Sequence, residues 1–541
     1  MRTMRSIYHT FILALGVAAL TGCDNFLDVM PDNRTIVDDE TKVKDLLVSA
    51  YPTHTYQIFT ELMSDNVDEY PNTYTDRFVD EFYAWKDPTE NNNESPENYW
   101  QNAYNAITTA NNALDAIDKL GGPTTPLLRE SMGEALMVRA YGHFMLVNIF
   151  CKNYNAATSD KDLGIPLMYE TGSLIGQVPD RGTVADVYKS IDADIQKALP
   201  LVGDSHLSVP KYHFNVGAAY AFAARFYLYY EKWDKAIEYA NKCLGGNPAS
   251  LLRDWANTAK LPSKFDVRSQ HYVSSELNCN LLLATGFSKG GLAFGPYRTW
   301  KKYTHGTYIS TNELGGAQNI WGGSTRLYDA PHTYPGTGYS YVIYWRIPHL
   351  FEYTDPVAGI GYNKSIFTLL TTDECLLNRA EAYIMTKKFD QAAADLTLWM
   401  QNATKSKMVL TPKEIEEFYN KAKYSYDDKE SPLASTIKKH LHPAFTIDKE
   451  GSTQEAMLQC VLGFRRMETI HQGIRWFDIK RYGIEYPRRK ISMAGEPEEK
   501  TDFLSKDDDR RALQLPSKVI DAGVKPNPRK TTKKYFSRVS L

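Results

Sequence analysis

Residues 215–248, NVGAAYAFAARFYLYYEKWDKAIEYANKCLGGNP, constrain the fold most, because small and large side chains recur in them at the spacing of a tetratricopeptide helix pair. Tyr220, Ala223, Ala224 and Tyr227 mark a first helix. A second begins after Trp233 and puts Ala236, Ile237, Ala240, Cys243 and Leu244 on one face, with Pro248 where such a unit ends. Ala224 and Ala236 allow close helix approach, and Tyr227 and Trp233 are expected to fill the wedge between the helices. The pattern returns 156 residues later, with Leu376, Ala380 and Tyr383, then Phe389, Ala392, Ala393 and Leu396. Two copies in one register, so far apart, predict a helical scaffold interrupted by a large insertion.

A chain of 541 residues, 43% apolar and 23% charged, can bury a sizeable core. Its net charge of −3 gives neither a nucleic-acid footprint nor a strongly acidic surface. The 36 tyrosines are a surplus, and their flat faces with polar rims suit contacted surfaces as well as cores.

Residues 1–22 read as an export signal: Arg2 and Arg5, a short apolar run at 11–20, then Leu20-Thr21-Gly22-Cys23. This order is a bacterial lipobox, which predicts acylation of Cys23 and a mature chain, 23–541, held on a membrane by its acyl groups. The other five cysteines, 151, 243, 279, 375 and 460, are widely spaced and odd in number, so they are read as small buried thiols rather than a disulfide framework.

Helical patterns cover residues 41–51, then a stretch capped by Ser95-Pro96 and stopped by Gly121-Gly122, then 128–150 and 183–199. Residues 70–85 are irregular and aromatic, followed by an Asn-rich loop at 91–93. Repeat units are expected over about 97–250 and 370–485, with a loop-rich insertion at about 251–369. Within it, residues 286–353 hold 15 aromatics and 11 glycines, too much glycine for helices. Most of these rings are expected to pack the loops; a few left facing solvent would stack on the C–H faces of sugar rings.

Chemical motifs are sparse. Gly286-Phe-Ser288-Lys-Gly290 fits a nucleophile elbow, but the Gly291-Leu-Ala-Phe-Gly-Pro296 that follows argues against the helix an elbow needs. His440-Leu-His442 has no carboxylate or cysteine at ligand spacing and reads as a surface turn. Asp507-Asp508-Asp509 beside Arg510-Arg511 reads as a solvated charged run. No phosphate-binding glycine loop is present. Neither a catalytic centre, a metal nor a cofactor is expected.

The most distinctive string runs from Phe464 through Arg465, Glu468, Gly473, Arg475, Trp476, Asp478 and Arg481 to Gly483. On one helix, Arg465 with Glu468 and Arg475 with Asp478 would pair one turn apart. The string resembles the E-R-x-x-E-L-x-x-E-G-x-R-W-x-D-L-x-R-W segment of the SusD/RagB family of surface glycan-binding lipoproteins. Other marks stand in order: Cys23 to Asp28, Trp100 with Tyr104 and Asn111, Gly133 with Arg139, Gly164 to Leu167, Arg181 with Thr183, Tyr188 and Asp194, Arg379 to Ala382, and Asn527-Pro528. Phe464, Gln472 and Leu398-Trp399 depart from the pattern.

The resemblance implies a mainly α, SusD-like fold, with four tetratricopeptide-like helix pairs beneath an irregular, aromatic loop-rich half. It further implies a non-enzymatic lipoprotein on the exterior of the outer membrane, passing oligosaccharides to a SusC-like TonB-dependent transporter. Alternatives are a peptide-capturing lid of the RagB type and a repeat-based protein–protein adaptor. Ligands are expected on the irregular half, where Tyr74, Tyr83, Trp85, Tyr297, Trp300, Trp321 and Tyr341 are candidate platforms, with Asp65, Asn319 and Arg326 as polar partners.

Overall fold

The computed structural model describes residues 37–71, 75–169, 180–336 and 338–529; Cys23 and Tyr74 lie outside them. Helices α1 (Glu40–Leu47), α2 (Gln57–Met63) and α3 (Arg77–Tyr83) lead into α4 (Pro96–Lys119), α5 (Pro126–Phe150), α6 (Val184–Ala198), α7 (Val216–Tyr229) and α8 (Trp233–Leu244). A single-turn α9 (Gly290–Ala293) lies in the insertion, and α10 (Thr372–Met385), α11 (Phe389–Ala403), α12 (Pro412–Lys421), α13 (Thr453–Glu468) and α14 (Arg475–Arg481) follow it. Local chemistry sets these bounds. Ser95, Thr125, Thr183 and Asn215 each accept a backbone N–H from the first turn of the helix they start. Gly121 and Gly122, at φ 94° and 87°, end α4 in a conformation that side chains resist.

The two repeats agree down to their turns. Between α7 and α8, Glu231 adopts φ 59° and Lys232 N–H donates to Tyr227 O at 2.9 Å. Between α10 and α11, Lys387 adopts φ 58° and Lys388 N–H donates to Tyr383 O at 2.8 Å. Ala224, Ala236, Ala380 and Ala392 are fully buried or nearly so. Trp233, however, sits half-buried and edge-on to Phe445, 5.5 Å away, rather than in the wedge.

A shared clamp joins successive helices. Arg139 of α5 makes a bidentate pair with Asp194 of α6 (2.8 and 2.7 Å) and donates to Asn111 of α4. Arg379 of α10 does the same with Asp395 of α11 (2.8 and 2.7 Å) and Asn241 of α8. Arg465 of α13 pairs with Asp478 of α14 (2.9 and 2.8 Å) and reaches Asn378 of α10. This corrects the pairing expected within one helix. The chain turns between α13 and α14, with His471 and Gly473 at φ 67° and 73°, so Glu468 instead accepts from the Trp399 indole, and Arg475 pairs with Asp65.

The insertion is more ordered than its glycine content suggests. Strands β2 (Asn280–Phe287), β6 (Leu350–Asp355) and β7 (Ile360–Thr371) form an antiparallel sheet in the order β2-β7-β6. A second sheet, β3-β1-β8-β9, brings together β1 (Asp68–Glu69), β3 (Tyr303–Thr304), β8 (Tyr486–Ile491) and β9 (Pro497–Leu504) from three distant parts of the chain. A hairpin of β4 (His332–Pro335) and β5 (Ser340–Ile343) lies beside Phe265 and Trp345.

A buried ionic hub locks the halves together. Asp65 accepts two bonds from Arg475, both 2.8 Å; Glu313 pairs with Lys439 at 2.8 Å, Arg466 at 2.9 Å and Arg489 at 3.1 Å; Arg489 also forks onto Asp68. Among the described residues, no helix is long and apolar enough to cross a membrane.

Candidate functional site

A cleft of about 490 Å³ opens where four irregular segments meet. The start of α3 supplies Asp76 and Arg77, the loop before α4 supplies Glu90, Asn92, Asn93 and Glu94, the β2–α9 turn supplies Ser288 and Lys289, and the hairpin of β6 and β7 supplies Tyr362 and Asn363. Trp300 closes it.

Each part is held by identifiable bonds. Trp300 has φ 54°, a left-handed backbone that costs an aromatic residue about 1–3 kcal/mol. Its indole N–H donates to Asp76 Oδ2 at 2.6 Å, and Phe78 meets it edge-on at 5.1 Å. Asp76 is the N-cap residue of α3, yet its carboxylate caps nothing in that helix. The carboxylate is spent on the tryptophan. Arg77 pairs with Glu81 at 3.1 Å. The Ser288 hydroxyl and the Lys289 N–H both donate to Glu94, at 3.1 and 2.6 Å. Burial pushes the Glu94 carboxyl up to about 7, against the lowering effect of those two donors. Tyr362 is 51% exposed, the one ring of the cleft lining that stands open to solvent. The cleft therefore offers three aromatic rings, Phe78, Trp300 and Tyr362, with three asparagine amides and charges of both signs.

Of the candidate platforms and polar partners among the described residues, Trp300 alone lines this cleft. Asp65 is buried in the ionic hub. Burial would raise its carboxyl, but Arg466 and Arg475 hold it well below the usual carboxylate range, so it cannot read hydroxyls. Tyr83 lies between Tyr303, stacked at 4.1 Å, and the Arg488 guanidinium at 4.2 Å. Trp85, 3% exposed, donates to Met63 O and packs on the same guanidinium at 4.1 Å. Both residues line a separate cleft of about 850 Å³.

Tyr297 is half-buried, edge-on to Phe265 and His349. Tyr341 is buried and stacked on Tyr334. Trp321 packs on Phe464 and Trp399 in the core. The buried Asn319 amide donates to Leu314 and Ala317 carbonyls, and Arg326 is exposed in a 3₁₀ turn away from the cleft lining. The expectation failed for one physical reason: a segment without a regular backbone ladder needs large rings to fill its interior.

Tyr362, Asn363, Arg77, Asn92 and Asn93 were missed. The signal for Tyr362 was present in Asp355-Pro356, a turn dipeptide, and Gly359 standing between two alternating runs, which is the pattern of a hairpin. The Gly286–Gly290 motif also differs from expectation, since one helical turn, α9, does follow Ser288. Ser288 is buried and its hydroxyl is committed to Glu94. His440 stands between Glu450 at 2.7 Å and Asp427 at 3.0 Å, partners that its local sequence did not show. Among the described residues no group of three or more His, Cys, Asp or Glu side chains is placed to hold a metal.

Comparison with known proteins places this geometry. Residues 25–228 match the family model described as SusD-like, starch-binding and associating with the outer membrane. The fold is SusD-like. Its fold matches a Bacteroides vulgatus protein assigned to sugar binding, at TM-score 0.65 and 20% identity over 92% of this chain and 99% of that one. It also matches a SusD superfamily protein from Bacteroides thetaiotaomicron, at 0.58 and 17% over 92% and 100%. A laminarin-binding SusD-like protein aligns at 0.52 and 16% over 91% and 99%. A search of curated proteins found no match. Asn111, Arg139, Asp194 and Arg379, four of the marks that carry the resemblance, are all clamp residues.

Proposed function

We propose that this SusD-like protein captures oligosaccharides at the outer face of the outer membrane, anchored through acylated Cys23, and passes them without cleavage to a SusC-like TonB-dependent transporter. One observation carries the reading: the indole of Trp300 and the exposed ring of Tyr362 border one cleft together with Asn92, Asn93 and Asn363. Flat rings stack on the C–H faces of sugars, and amides both donate to and accept from hydroxyls. The family description and the laminarin-binding neighbour support the same reading.

One feature favours peptide capture as the second reading. The register of β2 on β7 stops at Phe287 opposite Lys364, and Ser288 N–H donates to Asn363 O at 3.1 Å one step further, so residues 360–362 of β7 continue past that neighbour, and a free strand edge can pair with an extended peptide.

Calorimetric titration with laminari- and malto-oligosaccharides, and in parallel with mixed peptides, decides between them. Saccharide heat that disappears in Trp300→Ala, with no new reducing ends released, is the expected outcome. Heat from peptides alone overturns it.

A further inference from the structure

Trp300 borders the cleft but is only 3% exposed, so the ring best placed to stack on a ligand is covered. Lys289 stands over it. Its side chain is exposed, it lines the same cleft, and its ammonium stands over the ring, 5.5 Å from the indole centroid. Glu94 is a carboxylate whose charge interacts with it, and the Trp300 indole is the ring its ammonium stands over.

The backbone beneath it is fixed. Lys289 N–H is held by Glu94, Gly290 N–H donates to the Ser288 hydroxyl at 3.0 Å, and the Ser365 hydroxyl donates to Ser288 O while accepting from Gly291 N–H. Trp300 is equally fixed by Asp76 and Phe78. Only the aliphatic stem of Lys289 is free to swing. A rigid platform and a rigid pivot thus share one mobile charged arm.

We propose that Lys289 is a displaceable cover on the Trp300 platform, and that an uncharged sugar ring must dislodge its ammonium from the indole to stack there. The inference rests on the glycan-capture reading and adds the residue that sets the threshold for entry. Binding of a neutral oligosaccharide then carries a built-in cost, the loss of one cation–π contact.

Lys289→Ala removes the cost. It is expected to tighten binding of a neutral laminari-oligosaccharide by about two- to fivefold, the range that corresponds to a solvent-exposed cation–π contact. The gain is expected to vanish when Lys289→Ala is combined with Trp300→Ala. Without ligand, acrylamide quenching of the Trp300 fluorescence, taken as the difference between Lys289→Ala and Lys289→Ala/Trp300→Phe, should exceed the corresponding difference in the Lys289 background. Unchanged or weaker saccharide binding in Lys289→Ala makes Lys289 a ligand contact or a bystander and overturns the cover. If no variant binds saccharide, the capture reading fails, while unchanged quenching is what removes the cover.

Discussion

At the residue scale, Trp300 joins two properties that rarely coincide, a left-handed backbone and a large aromatic side chain. A left-handed residue other than glycine costs about 1–2 kcal/mol, and here the indole's bond to Asp76 and its contact with Phe78 offset that cost. Truncation to alanine removes the compensation but keeps the strain, whereas glycine removes both. Trp300→Gly should therefore be more stable than Trp300→Ala by about 1 kcal/mol in urea unfolding, with both variants defective in binding. Equal stabilities would mean that the backbone relaxes once the ring is gone. Trp300 could be picked from the sequence because it stands among glycines in an irregular stretch, but so do Trp321 and Tyr341, which pack inward. Exposure depends on what the rest of the chain lays over a ring, and no local pattern carries that.

At the scale of elements, the helical half was legible because its signals are periodic and local. Caps at Ser95 and Thr183, the stops at Gly121 and Gly122, and the alanine faces of both repeats follow from spacing alone. The Arg–Asp–Asn clamps were not legible, since each arginine pairs with the next helix and its asparagine stands 28, 138 or 87 residues away. Arg379 shows their weight: with Asp395 it forms a part-buried bidentate pair, and removing one member of a buried pair strands the other. Arg379→Leu should lower stability by about 3–5 kcal/mol, and Arg379→Leu/Asp395→Leu should recover a large part of the loss, because the stranded carboxylate goes with it. A double variant no better than the single one would assign the cost to lost packing of the arginine stem. The β2-β7-β6 sheet escaped notice for the opposite reason: Gly286 and Gly361 lie in its strands, where a short glycine-containing run looks like loop.

At the scale of the whole molecule, buried titratable groups decide how stability follows pH, and they pull in two directions. Burial drives His143 and His305 down to about 3 each, helped by Arg139 in one case and His471 in the other, so the stability they confer is present above about 6.5 and declines as pH falls below it. Burial drives Glu94 up to about 7 and Glu468, beside Asp373, up to about 8. These two hold protons that the unfolded chain releases near its ordinary carboxylate range, so they favour the fold increasingly as pH drops from 8 to about 4.5. Between about 6.5 and 4.5 these opposing slopes largely cancel, and a shallow profile is expected there. Below 4.5 no compensation remains. Burial opposes the charge on Glu381, but Arg481 and Arg465 hold it down to about 2, and Asp65 and Glu313 are likewise held low by their arginines and Lys439, so each loses its contribution as it takes up a proton. Melting temperature should fall steeply from pH 4.5 downward. Glu94→Gln isolates one of the opposing slopes: an uncharged side chain of the same shape can still meet Ser288 and the Lys289 N–H, so the variant should melt above the natural protein at pH 8 and level with it at pH 5. The gap at pH 8 is bounded by about 3 kcal/mol, the free energy of moving a carboxyl from its ordinary range to about 7. A difference between the two proteins that does not change with pH would show that Glu94 titrates normally and that the floor of the cleft is wet rather than buried.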